Sequence, residues 1–188
     1  MPAPTLWNVP NILTLMRVVL IPVLVLLANW PAHFELQYPL VAGVFLIAAI
    51  TDWFDGYLAR AWNQTSAFGR FLDPVADKLM VAAALVILVQ WHSGIFMVVS
   101  AIVIISREIT ISALREWMAE IGKRANVAVS SIGKWKTTAQ MASITVLLVK
   151  EPRLDIIGFS LMFIAVALTL WSMIIYLKAA WPDLKQTS

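Results

Sequence analysis

Six apolar runs, each near twenty residues, constrain this chain more than any other feature. They fall at roughly 12–30, 38–60, 74–91, 94–119, 130–150 and 155–179. About twenty such residues cross the hydrocarbon core of a bilayer as a helix. Lipid offers the backbone no hydrogen bonds, so each run must satisfy its own as a helix. The expected fold is all-α: a polytopic membrane protein of six transmembrane helices, forming one integral-membrane domain over residues 1–188. Composition agrees, because 61% of residues are hydrophobic and 13% charged, whereas a soluble domain is about half apolar. No internal repeat, low-complexity segment or separate soluble domain is apparent. The lack of cysteine excludes disulfides and thiolate chemistry. Arg17 lies within the first run and no small-residue cleavage site is evident, so that run is expected to be retained as a span.

Local signals refine the spans. Asn11 reads as an N-cap for the first, with Pro10 just outside it, and Pro22 is expected to kink that helix. With six spans, both termini share a side. Of the fourteen Lys and Arg residues, only Lys150 and Arg153 belong to the opposite connections. The positive-inside rule therefore places both termini in the cytoplasm. Trp7, Trp30, Trp91 and Trp181 fall near span ends, as an aromatic belt requires. His33 and His92 lie in the far-side connections and read as interfacial polar residues.

Four carboxylates need an explanation. Asp52 and Asp55 are three apart, and Gly56 and Ala59 continue their stripe on the second helix. Asp73 and Asp77 are four apart at the head of the third run, where Asp73 followed by Pro74 also reads as an N-cap with proline at the first helical position. The topology brings both pairs to the cytoplasmic side. Acids gathered there repel unless they are protonated, paired with Arg or Lys, or bridged by cations. Oxygen donors without His or Cys suit a hard ion such as Mg²⁺ or Mn²⁺. An EF-hand does not fit, since Asn63 stands where its twelfth-position Glu belongs.

The stretch "DWFDGYLARAWNQTSAFGRFLDPVAD" fits the pattern D-x2-D-G-x2-A-R-x8-G-x3-D-x3-D at all eight fixed positions. It resembles the signature of the CDP-alcohol phosphotransferases. The stretches "NILTLMR", "SREITISALREWMAEIGKR" and "IGKWKTTAQM" are similar to the bacterial branch that uses glycerol 3-phosphate. The resemblance implies a polar cavity open to the cytoplasmic side. It implies that Asp52, Asp55, Asp73 and Asp77 hold Mg²⁺ or Mn²⁺, as a two-metal site, against the pyrophosphate of CDP-diacylglycerol. Gly56 and Ala59 would leave room for the nucleotide, Gly69 would let the connecting loop approach it, and Arg60, Asn11 and Thr14 would complete the CDP site. Asp77 is the implied general base. The resemblance further implies sn-glycerol 3-phosphate as the acceptor, with phosphatidylglycerophosphate and CMP as the products.

A phosphorylated acceptor needs cations of its own. Arg107, Arg115, Lys134 and Lys136 are the candidates, with Glu108 as a partner. Arg107 and Arg115 are eight apart, roughly on one side of the fourth span. Asn11, Thr14 and Arg17 form a loose polar stripe that either lines the same cavity or amounts to a cap plus a snorkelling arginine. The resemblance also implies a homodimer in a bacterial inner membrane, with membrane lipid and no nucleic acid as partners. Two other readings stand beside it: a relative using another acceptor such as inositol phosphate, and a cation-coupled transporter, since intramembrane acids also mark ion paths.

Overall fold

The computed structural model describes residues 9–31, 34–61, 67–122 and 131–186, without side chains at 10, 53, 55–61, 67, 70, 131–134 and 186. Six helices follow one another: α1 Val9–Ala28, α2 Gln37–Ala61, α3 Ala67–Trp91, α4 Ile95–Glu120, α5 Ser131–Val149 and α6 Pro152–Gln186. The chain is all-α in architecture, as expected. Among the described residues, three helices, α1, α4 and α6, are long and apolar enough to cross a membrane. Helix α2 has, among the described residues, an apolar stretch over Gln37–Asp52. Helices α2 and α3 carry the acid motif within one end of each helix.

Helix α1 packs on α2 and α3, α5 runs along α6 and touches α2 and α3, and α4 bridges α3 and α6. One apolar core joins all six, from Leu24 through Phe45, Leu88, Ile104 and Ile144 to Met162. The outer surface is also apolar. On α4, Ile95, Ile102 and Ile109 stand seven apart and are 79%, 58% and 64% exposed, while Ser100 and Arg107 of the same helix are buried. An apolar exterior around buried polar residues is the distribution lipid demands. Hydroxyls within the helices satisfy themselves locally: Thr51, Ser100 and Thr145 each donate to the carbonyl four residues back.

The helix starts differ from the local signals. Helix α1 begins at Val9, so Asn11 is a buried residue of its first turn rather than its cap. Pro22 lies inside α1, which runs unbroken. Helix α3 begins at Ala67, so Pro74 is interior and Asp73 does not cap it. Gly69 accordingly sits buried in the first turn of α3, not in a loop. At its other end α4 closes with Gly122 in the left-handed region, φ 75°, whose N–H reaches the Ala119 carbonyl.

At the end of the bundle away from the acids, side chains tie the helix termini together. The buried Gln37 amide donates to the Leu27 carbonyl at 3.0 Å, satisfying an end carbonyl of α1. The Lys150 ammonium donates to the Tyr38 hydroxyl at 3.3 Å, and the Tyr38 ring meets Trp91 edge-on at 4.9 Å. His92, half-buried, sets a ring nitrogen 3.1 Å from the Leu147 carbonyl. His33 lies outside the described residues.

Helices α5 and α6 approach closely at Gly158. Ser143 donates to its carbonyl at 2.8 Å, and a Cβ built on Gly158 would stand 2.5 Å from Leu147 Cδ2. Small residues allow such approaches between helices in lipid. Gly158→Val is expected to destabilise the bundle by about 1–3 kcal/mol, read as a lower Tm in detergent. Gly43→Ala, where nothing lies within 4 Å of the added carbon, is expected to leave Tm unchanged. Equal behaviour of the two variants would contradict this account of the α5–α6 contact.

Candidate active site

The polar stripe of α1 organises the acids. Asn11, Thr14 and Arg17 are each only 1% exposed. The Arg17 guanidinium lies 2.7 Å from an Asp52 carboxylate oxygen on α2. The Thr14 hydroxyl donates to the Asp73 carboxylate on α3. One helix therefore grips the acid motif of two others. Arg17 is a structural partner of the motif, not an arginine reaching out to the interface. Asp77, one turn beyond Asp73, lies within electrostatic reach of Asp52, Arg17, Glu108 and Lys136.

The side chains of Asp55, Gly56, Ala59 and Arg60 lie outside the described residues, although their backbone continues α2. Asp52, Asp73 and Asp77 offer oxygen alone, and that donor set fits a hard divalent cation. Among the described residues, no three such side chains come within reach of one ion.

The cations form a second cluster on α4 and α5, against α6. Arg107 is buried and donates to Ser172 Oγ at 3.1 Å and to Glu108 Oε1 at 3.3 Å. The same Glu108 oxygen accepts from the Lys136 ammonium. Arg115 donates to the Tyr176 hydroxyl at 2.9 Å. Both guanidinium groups also face the Tyr176 ring, at 5.5 Å for Arg107 and 5.2 Å for Arg115. Their eight-residue spacing thus places them on one side of α4, as expected. The Lys134 side chain lies outside the described residues.

These groups surround a cavity of about 190 Å³. Its wall carries four cations, Lys78, Arg107, Arg115 and Lys136, against two carboxylates, Asp77 and Glu108. The excess positive charge suits a small anion, and the volume lies below the roughly 300–1,000 Å³ that takes drug-sized ligands. Beside it runs a mostly apolar groove of about 600 Å³ between α2 and α5, lined by residues such as Ile50, Met141 and Val146. Asp52 and Asp77 stand in its wall. Asp77 is the one ionisable side chain, among the described residues, that lines both spaces.

The sequence reading had not singled out Ser172, Tyr176 or Gln140. Ser172 and Tyr176 are four apart, one polar face in the apolar run of α6, and that spacing was the available signal.

A family model described as CDP-alcohol phosphatidyltransferase matches residues 7–171. A protein of Yersinia enterocolitica (serotype O:8 / biotype 1B) is 54% identical over 179 residues, covering 94% of this chain and 97% of that protein. Proteins of Shigella flexneri serotype 5b and Escherichia coli K12 are each 52% identical over 181 residues, covering 95% of this chain and 97% of theirs. All three are called CDP-diacylglycerol–glycerol-3-phosphate 3-phosphatidyltransferase. The acid motif, the cation cluster beside it and likeness over nearly the whole length lead to one conclusion: the chain belongs to the CDP-alcohol phosphatidyltransferase family.

Proposed function

We propose that this chain transfers the phosphatidyl group of CDP-diacylglycerol to sn-glycerol 3-phosphate, giving phosphatidylglycerophosphate and CMP. The names of its relatives support this reading. The structural observation that carries it is the position of Asp77, in the wall shared by an apolar groove and a cationic cavity. Acyl chains suit the groove, and a phosphorylated polyol suits the cavity. The two reactants then meet at one carboxylate.

In this reading Arg107, Arg115 and Lys136 hold the acceptor's phosphate; Lys134 and the nucleotide-side residue Arg60 keep the roles given by the resemblance. Arginine supplies a planar, bidentate grip and lysine a point charge. Asp77 takes the proton from the acceptor's 1-hydroxyl as that oxygen bonds to the phosphorus bearing diacylglycerol. The bond from that phosphorus to the bridging oxygen breaks, and CMP leaves with the electron pair. Asp52, Asp55, Asp73 and Asp77 would hold the divalent metal, Mg²⁺ or Mn²⁺, on which the family generally depends. When bound, such a metal neutralises the pyrophosphate and braces attacking and leaving oxygens. Because groove and cavity adjoin, transfer is a single displacement with both substrates present.

The same proposal has all six helices crossing a bacterial inner membrane, both termini in the cytoplasm, and the cavity opening to that side. It includes a homodimer, which rests on the family resemblance. A transporter reading has no support from the three relatives described above, each of which is named as a transferase.

Purified protein with CDP-diacylglycerol, Mg²⁺ and labelled sn-glycerol 3-phosphate is expected to release CMP and label lipid. Absence of CMP with this acceptor, but release with inositol phosphate, would reassign the substrate. Asp77→Asn is expected to lower kcat by roughly 10²–10⁴-fold with Tm nearly unchanged; near-normal turnover would remove Asp77 as the base. Arg107→Ala is expected to raise the acceptor's KM by roughly 10–100-fold, the loss of a charge-assisted hydrogen bond, while the donor's KM holds. An unchanged acceptor KM would discard Arg107 from the phosphate site.

A further inference from the structure

Gln140 sits on α5 one turn beyond Lys136 and faces the same cavity as Arg107 and Asp77. Its side chain is 3% exposed, and its Oε1 has no hydrogen-bond partner among the described residues. Arg107 Nε, also buried, lacks one as well. Buried polar atoms in proteins are almost always paired, so such orphans call for an explanation. Here one cavity carries an orphan acceptor and an orphan donor.

The two make different demands on an occupant. A phosphate dianion only accepts hydrogen bonds, so it answers Arg107 Nε and leaves the Gln140 oxygen unmet. A hydroxyl donates as well as accepts. Turning the carboxamide over exchanges oxygen for NH₂ and still leaves a group that a hydroxyl satisfies. An occupant carrying both phosphate and hydroxyl meets both demands.

We propose that Gln140 is a specificity-determining residue that reads a free hydroxyl of the acceptor beside the one that attacks. This rests on the reading above, in which the phosphate goes to the cations and the attacking hydroxyl to Asp77. Of sn-glycerol 3-phosphate, only the 2-hydroxyl then remains for Gln140. A site built to hydrogen-bond a hydroxyl rejects an analogue lacking it, because its own polar group is left unpaired.

The test compares sn-glycerol 3-phosphate with 3-hydroxypropyl phosphate, which lacks only the 2-hydroxyl. The unmodified enzyme is expected to prefer the former in kcat/KM by roughly 10–100-fold, the usual effect of a lost buried partner. Gln140→Met, similar in size and unable to pair with a hydroxyl, is expected to erase that preference while the KM for CDP-diacylglycerol stays put. Gln140→Glu keeps an accepting oxygen and is expected to retain the preference, so the assignment remains open to test if the methionine variant fails to fold. A preference undiminished in Gln140→Met, lost in Gln140→Glu, or absent from the unmodified enzyme would overturn the role of Gln140. Failure of the unmodified enzyme to release CMP with sn-glycerol 3-phosphate would instead overturn the reaction itself, and this inference with it.

Discussion

A guanidinium 1% exposed inside an apolar bundle is costly to bury without an anion against it, and for Arg17 that anion is Asp52. The ion pair joins α1 to α2. One turn earlier Thr14 joins α1 to α3 through Asp73. These two contacts fix how the acid-bearing ends of α2 and α3 face each other. They also leave Asp77, one turn further along α3, directed at the space beside α5. The signature motif is thus held in place from outside itself, by a helix that contributes none of its acids.

The acid motif occupies α2 and α3, while Arg107 and Arg115 on α4 and Lys136 on α5 gather around Tyr176 and Glu108. Glu108 keeps two neighbouring cations from repelling each other without cancelling the positive excess of the cavity wall. Such an arrangement suits a reaction between two phosphate-bearing molecules. In the proposed reaction each anion meets its own compensating groups, and the reacting atoms meet where the two sets adjoin.

Element existence and the acid motif were legible because they are local: apolar runs near twenty residues, and eight residues at fixed spacing. Two helix starts were misread for one shared reason. Asn11 and the Asp73–Pro74 pair carry capping chemistry, but their helices begin earlier, at Val9 and Ala67. The Asp73 carboxylate serves Thr14 of another helix instead of its own first turn. Tyr176 and Gln140 were missed because their value lies across helices. Each is unremarkable within its own apolar run, and only packing brings Tyr176 against two arginines or leaves Gln140 facing a cavity. Periodicity reports which face of a helix is polar but not what stands opposite.

In the proposed reaction, groove and cavity meet at Asp77, so that both substrates are in place for one displacement with no phosphatidyl group parked on the protein. The most direct measurement is the stereochemical course at the transferred phosphorus, followed with CDP-diacylglycerol made chiral by isotopic or sulfur substitution there. An in-line displacement inverts that centre, and inversion is the expected result. Retention would require two displacements through a covalent intermediate and would contradict direct transfer across Asp77.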